Sequence, residues 1–219
     1  MKQIIILISF LSILSSCTSP KEGNKGGEDP LSDSGVEQVV SSEMATVPTP
    51  TYGSGKHTIE IFADFQCPAC IYFAENVGLA IEGFAEKGQV KIIYRQYPLV
   101  SIHKNAQRDA LAALCAQEQG KYMEYKKALY NLEKKKSGAS VSDNDRVTVA
   151  QSSGLDESGM KICLESNRYE SQIASDVAYG DSLRIGGTPT IFLDGKRIDL
   201  GLFEDNASII SFIDRVTKE

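Results

Sequence analysis

Two cysteines separated by two residues have the clearest chemical potential in this 219-residue sequence. Cys67 and Cys70 follow a β-branched and aromatic run, residues 58–65, that predicts a buried strand. Pro68 is tolerated at the first position of a helix, so the pair stands at a predicted strand-to-helix junction. The free N–H groups and positive end of that helix would favour a thiolate at Cys67 and lower its pKa. Cys70, one turn further on, is expected to be buried and to resolve mixed disulfides formed at Cys67.

Half of a zinc site, or an inert structural disulfide, would also use two cysteines at this spacing. Zinc needs two further ligands, preferably in a second close pair. The remaining candidates, Cys115, Cys163, His57 and His103, are isolated in the sequence, and the two histidines are interpreted as surface or loop residues. The strand–cysteine–helix context therefore favours dithiol–disulfide exchange, with no metal or other cofactor expected.

The predicted elements follow the order β-α-β, a helical insertion, then β-β-α. A helix from Pro68 to about Lys87 leads to a second strand over residues 90–97, parallel to the first by the crossover rule. Residues 102–185 are almost wholly helical in pattern, and residues 190–198 predict a hairpin with an Asp-Gly turn. A final helix ends the chain. The order predicts a three-layer α/β fold.

Two motifs extend this interpretation. Residues 61–70 read Ile-Phe-Ala-Asp-Phe-Gln-Cys-Pro-Ala-Cys, and residues 187–190 read Gly-Thr-Pro-Thr. Together they resemble the DsbA-like thiol:disulfide oxidoreductases, which have a thioredoxin-like fold with an inserted helical domain, and the similarity runs from about residue 56 to the C-terminus. The resemblance implies catalysis by Cys67 and Cys70 and a cis peptide between Thr188 and Pro189 facing them. It also implies strand-like pairing of a substrate peptide with the backbone at Thr188.

The sequence departs from that family at two positions. The dipeptide between the cysteines is Pro68-Ala69, where relatives often have a histidine that donates to the thiolate. Fewer donors predict a less stabilised thiolate and a less oxidising disulfide. Relatives also commonly have a buried acid six positions before the first cysteine, where this chain has Ile61. The proton acceptor for Cys70 is therefore left open between Glu60, Asp64 and water.

Cys115 and Cys163 lie in two predicted helices of the insertion. If paired, they would close a loop of about 49 residues and stabilise the fold by about 4 kcal/mol on the entropic model. A second redox relay serving Cys67 is the functional alternative. A structural disulfide is favoured, because neither cysteine has a CxxC partner or an activating neighbour.

The N-terminus predicts export. Residues 1–16 combine a positive start with an apolar run too short to span a bilayer, as in a signal peptide. The following Leu14-Ser15-Ser16-Cys17 resembles a bacterial lipobox, in which Cys17 is lipidated; an ordinary secretion signal is the alternative. Lipidation would leave two pairs among the five cysteines. Residues 17–55, rich in Ser, Gly, Pro and Thr, predict a flexible tether, and residues 56–219 the folded domain.

The formal net charge of −6 does not favour nucleic acid as a partner. We predict a monomer lipid-anchored in the cell envelope and facing the periplasm or extracytoplasmic space. It would exchange disulfides with exported proteins, mainly by net oxidation, and be recycled by a membrane redox partner. A reductase or isomerase is the nearest alternative. A soft-metal-binding lipoprotein and a disulfide-stapled scaffold without turnover are the others.

Overall fold

A mixed β-sheet forms the centre of the structure, a computed structural model that describes residues 46–218. Its five strands are β1 (Thr51–Tyr52), β2 (His57–Ala63), β3 (Val90–Gln96), β4 (Thr190–Leu193) and β5 (Lys196–Ile198). They are ordered β1-β3-β2-β4-β5. Strands β2 and β3 are parallel, as the crossover rule predicts, and the other neighbours are antiparallel.

Helices cover both faces of this sheet and form the insertion. They are α1 (Pro68–Glu75), α2 (Val77–Glu86), α3 (Ala106–Glu118), α4 (Tyr122–Lys136), α5 (Asp143–Ser152), α6 (Glu157–Ser166), α7 (Glu170–Ser182) and α8 (Asn206–Lys218). A short 3₁₀ helix, Leu200–Leu202, precedes α8. Helices α3 to α6 pack on one another, while α2 and α7 pack on β3 and α8 packs on α2.

Side chains of β2 alternate between the two faces of the sheet, and this explains why helices pack on both faces. Ile59 and Ile61 belong to the main core together with residues of α2 and α8, and both are buried. Phe62 points to the other face, where it packs against Tyr97, Tyr179 and Phe192. Because successive strand residues point to opposite faces, one apolar strand serves two helical layers. The predicted three-layer thioredoxin-like fold is confirmed.

The predicted helix from Pro68 to about Lys87 is wrong in one respect, because the structure contains two helices. They meet at Asn76, whose backbone leaves the helical region at φ −124° and ψ −90°. The Asn76 side-chain amide donates to the carbonyl oxygen of Tyr72 at 2.8 Å, taking an acceptor that the helix backbone would otherwise use. Short polar side chains compete with the backbone in this way, and the helix ends there.

The predicted boundary between tether and domain, at residue 55, is also wrong. Val47 is buried, and its backbone exchanges two hydrogen bonds of 2.9 Å with the side chain of Gln172 in α7. Pro50 accepts from the backbone N–H of Tyr94 at 2.9 Å, and β1 pairs with β3. Composition alone hid this segment, because backbone hydrogen bonds to Gln172 and to the edge of β3 order it, together with the burial of Val47 in the main core.

The predicted signal peptide, residues 1–16, and the predicted lipidation site, Cys17, lie outside the described residues. Among residues 46–218, no helix has the length and apolar character needed to cross a bilayer.

Candidate active site

The end of β2 and the start of α1 place Cys67 at the N-cap of a helix. Cys67 has extended backbone angles, φ −69° and ψ 121°, and Pro68 is the first helical residue, as predicted. The Cys67 N–H donates to the carbonyl oxygen of Asp64 at 3.2 Å, which closes the turn between strand and helix. Proline is suited to this position because the first helical N–H has no acceptor within the helix. The turn leaves Pro68 and Ala69 exposed above the two sulfurs.

A distant loop completes the site. Thr188 and Pro189 are joined by a cis peptide bond, and the Cys67 thiol donates to the Thr188 carbonyl oxygen at 3.4 Å across 121 residues of sequence. The Thr190 hydroxyl donates to the carbonyl oxygen of Gly187 at 2.7 Å and holds the loop. The structure thus brings together the two motifs on which the family resemblance was based.

The two sulfurs differ sharply in acidity. The pKa of Cys67 is lowered to about 5, first by a hydrogen bond from Cys70 and then by the Thr188 side chain and the N–H groups of Cys70 and Ala69. Burial opposes this shift but is outweighed. Burial, with the adjacent Cys67 sulfur, raises the pKa of Cys70 well above its usual value. Both are reduced thiols here, and they are 7% and 1% exposed respectively.

Asp64 connects the cysteine turn to a neighbouring loop. Its buried carboxylate accepts from the N–H groups of Gln66 and Leu99, each at 2.8 Å, and contacts Nδ1 of His103 at 2.7 Å. Its backbone N–H donates to the Cys70 sulfur at 3.5 Å. His103 was interpreted as a surface or loop histidine. It does lie in a loop, but it contacts the buried carboxylate beside the cysteines.

Sequence reasoning missed this contact because Asp64 and His103 are 39 positions apart. The available signal was that Asp64 directly follows β2 and that His103 lies in the loop after β3, the adjacent parallel strand, whose carboxyl end lies at the same sheet edge. Glu60, another candidate acceptor for the Cys70 proton, is instead paired with Arg95 at 3.0 Å. Asp64 contacts the Cys70 sulfur through its backbone N–H, while its carboxylate is held by Gln66, Leu99 and His103.

An open groove borders the cysteine turn. Its walls come from α1, the loop before α3 and the end of α4, and include Pro68, Tyr72 and Ile102. Tyr72 is 59% exposed and Ile102 71% exposed, so apolar surface faces solvent beside Cys67. Gln66, His103 and Glu133 also line this groove.

Cys115 and Cys163 form a disulfide between α3 and α6, with a Cα–Cα distance of 5.8 Å. Both are fully buried, at 0% and 1% exposure. Within residues 46–218, no three His, Cys, Asp or Glu side chains converge as metal ligands.

Comparison with known proteins agrees with this fold. The family model described as Thioredoxin matches residues 46–211. The fold resembles BdbD from Bacillus subtilis, with a TM-score of 0.68 and 22% identity over 78% of this chain and 94% of that one. It also resembles MdbA of Actinomyces oris, a thiol-disulfide oxidoreductase, with a TM-score of 0.66 and 15% identity over 75% of this chain and 86% of that one. The fold also resembles DsbA from Mycobacterium tuberculosis, with a TM-score of 0.61 and 20% identity over 82% of this chain and 90% of that one.

Among curated relatives, the chain matches the Na(+)/H(+) antiporter NhaA 3 of Salinispora tropica, with 31% identity over 140 residues. That alignment covers 64% of this chain but 20% of the antiporter. The chain spans about one fifth of the length of the curated relatives it matches, so the antiporter name describes much longer proteins.

Proposed function

This chain belongs to the thioredoxin family, and on that basis we propose that it is a protein thiol–disulfide oxidoreductase whose redox centre is Cys67–Cys70. The observation that carries the proposal is the unequal acidity of the two sulfurs. One sulfur has a pKa near 5 at a helix N-cap, and the other is buried with a raised pKa one turn away. A nucleophile and a resolving thiol need this difference.

The exchange follows from that difference. A substrate thiolate attacks the Cys67 sulfur of the Cys67–Cys70 disulfide, and Cys70 leaves with the electron pair of the broken S–S bond and takes up a proton. A second substrate thiolate then attacks the substrate sulfur of the mixed disulfide and expels Cys67 as a thiolate. Two electrons pass from the substrate dithiol to the cysteine pair. Because Cys67 has a low pKa, it is a good leaving group in the second step.

Net oxidation is the favoured direction. A stabilised thiolate lowers the free energy of the dithiol form and so makes the disulfide a stronger oxidant. A pKa of about 5 for Cys67 lies between the values of roughly 7 and 3.5 that accompany reducing and strongly oxidising members of this fold. Even with Pro68-Ala69 in place of a histidine-containing dipeptide, the site keeps donors for the thiolate, namely the Cys70 thiol, Thr188 and two backbone N–H groups.

Substrates are exported proteins with free thiols, held as an extended strand against the loop at Thr188. The Thr188 carbonyl oxygen lies 3.4 Å from the Cys67 sulfur, so a strand paired with this residue would carry its cysteine to the nucleophile. The groove beside Pro68 and Tyr72 offers apolar surface for flanking residues.

The proposed location is the cell envelope, with a signal peptide over residues 1–16 and a lipid anchor at Cys17. A membrane redox partner would withdraw electrons from the reduced pair after each cycle. Labelling with a fatty acid analogue, compared between the unchanged chain and Cys17→Ser, tests the anchor. Label that persists in Cys17→Ser would contradict it.

The deciding experiment is the reduction potential of the Cys67–Cys70 pair, measured against glutathione on the chain from residue 18 onward. A potential of about −180 mV or higher supports a disulfide donor, whereas about −230 mV or lower indicates a reductase. Cys67→Ser is the control and must abolish exchange. A wild-type pair that never equilibrates with glutathione would overturn the enzyme assignment.

A further inference from the structure

A chain of buried hydrogen bonds leads from the cysteine turn into the helical insertion. The Gln66 side chain, next to Cys67, accepts from the backbone N–H of Asn105 at 2.8 Å. The Asn105 side-chain amide in turn donates to Oε1 of Glu133 in α4 at 2.9 Å. Gln66, Asn105 and Glu133 are 7%, 4% and 2% exposed. This set, the Gln66–Asn105 clamp, joins the residue before the nucleophile to the insertion.

The clamp ends at two buried carboxyls that face each other. Glu133 lies within hydrogen-bonding reach of Asp109 in α3, and Asp109 is fully buried. Asp109 Oδ1 accepts from Nε of Arg146 at 2.8 Å. The other oxygen of each carboxyl, Oδ2 of Asp109 and Oε2 of Glu133, finds no donor among residues 46–218. A proton held between these adjacent buried carboxyls would give both oxygens a partner.

The charges around the pair lead to the same conclusion. Arg146, 2% exposed, is the cation that contacts Asp109, and it also pairs with the half-exposed Asp143 at 3.1 Å. The Tyr125 hydroxyl, which donates to the Arg146 carbonyl, and the Asn105 amide are uncharged. The charged or titratable groups that line the groove with Glu133 are Glu75, His103, Lys104 and Lys134, and none of them is buried. Two carboxylates would therefore leave a net negative charge in the core, which a proton removes.

We propose that Asp109 keeps its proton at neutral pH and donates it from Oδ2 to Oε2 of Glu133, and that this proton fixes the clamp that positions Cys67. The pKa of Asp109 is raised to about 8, mainly by burial and further by Glu133, against the opposing effect of Arg146. The proton is therefore lost as the pH rises through about 8.

The consequence for the active site follows from the geometry of Glu133. One of its oxygens holds Asn105, and the other holds the Asp109 proton. When that proton leaves, two carboxylates repel each other in a low-dielectric core, and Glu133 must move. Its movement removes one of the two acceptors of the Asn105 amide, the other being the carbonyl oxygen of Ala139 at 2.8 Å. The resulting shift of Asn105 reaches the turn before Cys67 through the hydrogen bond from the Asn105 backbone N–H to Gln66. Glu133 also lines the groove beside Pro68, which gives the proton a route to solvent. These are positioning residues for the proposed thiol–disulfide exchange, and this role rests on that proposed function.

The test is a pH titration followed by nuclear magnetic resonance on the full chain in its Cys67–Cys70 disulfide form, in which neither thiol titrates. We expect the Asn105 side-chain amide and the Cys67 backbone amide to shift together, with one midpoint near pH 8. Repeating the titration on His103→Gln separates any contribution from the histidine that contacts Asp64. The measurement needs no redox activity, so it succeeds or fails independently of the proposed enzyme.

Two variants test which group causes the change in chemical shifts near pH 8. In Glu133→Gln, the introduced amide can donate to Asp109 and still accept from Asn105. The clamp therefore survives, while the step, meaning the change in chemical shifts with a midpoint near pH 8, is lost. Asp109→Asn is also expected to lose it. Glu165→Gln, at an exposed acid of α6, is the matched control and keeps it.

The outcomes that would overturn the inference are distinct. If the wild-type chain shows no step between about pH 7 and pH 9, the shared proton is excluded. A step that persists in both buried variants would assign it to another group. A step at Asn105 that is absent at Cys67 would remove the positioning role.

Discussion

At the scale of single residues, the candidate site contains two neighbouring thiols of unequal acidity. The sequence predicts the direction of this difference, because the first cysteine of a strand–CxxC–helix turn is the N-cap and the second lies inside the helix. The structure changes the ranking of causes. The largest contribution to the low pKa of Cys67 is the hydrogen bond from Cys70, ahead of the helix N–H groups that the sequence suggested. Each sulfur therefore shifts the pKa of the other.

Thr188 provides a test of this tuning. Its buried hydroxyl makes no hydrogen bond of good geometry within residues 46–218, yet its side chain lowers the pKa of Cys67. The hydroxyl is thus available to the thiolate. Thr188→Val, which keeps the shape, is expected to raise the Cys67 pKa by about one unit, since a hydrogen bond to a charged group contributes about 1.5 kcal/mol.

The measurement is the pH dependence of Cys67 alkylation in the reduced chain. A less stable thiolate should also lower the reduction potential by about 30 mV. Thr148→Val, at an exposed threonine of α5, serves as the control. An unchanged Cys67 pKa in Thr188→Val would exclude the hydroxyl as a donor.

At the scale of elements, the helical insertion is held to itself covalently and to the active site by polar contacts. Cys115 and Cys163 link α3 to α6, while α4 packs on α1 beside the cysteine turn. The insertion therefore packs against the helix that begins after Cys67 and contains Cys70. Its disulfide is buried on both sides, which favours a structural role over a relay.

We predict that Cys115→Ser together with Cys163→Ser lowers the free energy of unfolding by about 4 kcal/mol, because the bridge links residues 48 positions apart and so closes a long loop in the unfolded chain. Exchange at Cys67 should continue at its normal rate below the lowered melting temperature. Urea unfolding followed by circular dichroism measures the loss, and a glutathione exchange assay measures the activity. Unchanged stability with reduced exchange would instead identify a relay.

At the scale of the whole molecule, the domain extends further towards the N-terminus than its composition suggests. Residues 46–55 have the Pro, Thr and Gly content of a linker, yet they occupy the open edge of β3 and reach α7 through Val47. Covering a sheet edge satisfies its free N–H and C=O groups and protects it from pairing with other chains.

Removing this segment tests its contribution. A chain that begins at Lys56 should be less stable than one that begins at Thr46 by about 3 kcal/mol, from the loss of several backbone hydrogen bonds at roughly 1 kcal/mol each. Chemical unfolding midpoints compare the two, with the chain from residue 18 as reference. We also expect the shorter chain to self-associate through β3, detectable by light scattering. Equal unfolding midpoints for the chains that begin at Thr46 and Lys56 would show that residues 46–55 add no stability.

The sequence alone was sufficient for the fold class and for the placement of Cys67 and Cys70 at a strand-to-helix turn. Both depend on short-range information: the period of apolar residues in β2, the Cys67-to-Cys70 spacing and the proline at the first helical position. These features act within one or two turns of chain, so residue types and spacing record them directly.

Tertiary structure was needed for the remaining features, because each depends on residues that are far apart in sequence. The Thr188 carbonyl meets Cys67 across 121 residues, and His103 meets Asp64 across 39. Asp109 and Glu133 are ordinary helix residues in sequence, and only the packing of α3 against α4 buries their carboxyls together. Burial and charge proximity set a pKa, and both are properties of the folded chain. The acidity of Cys67 therefore depends on the approach of the Thr188 loop, and that of Asp109 on packing within the helical insertion.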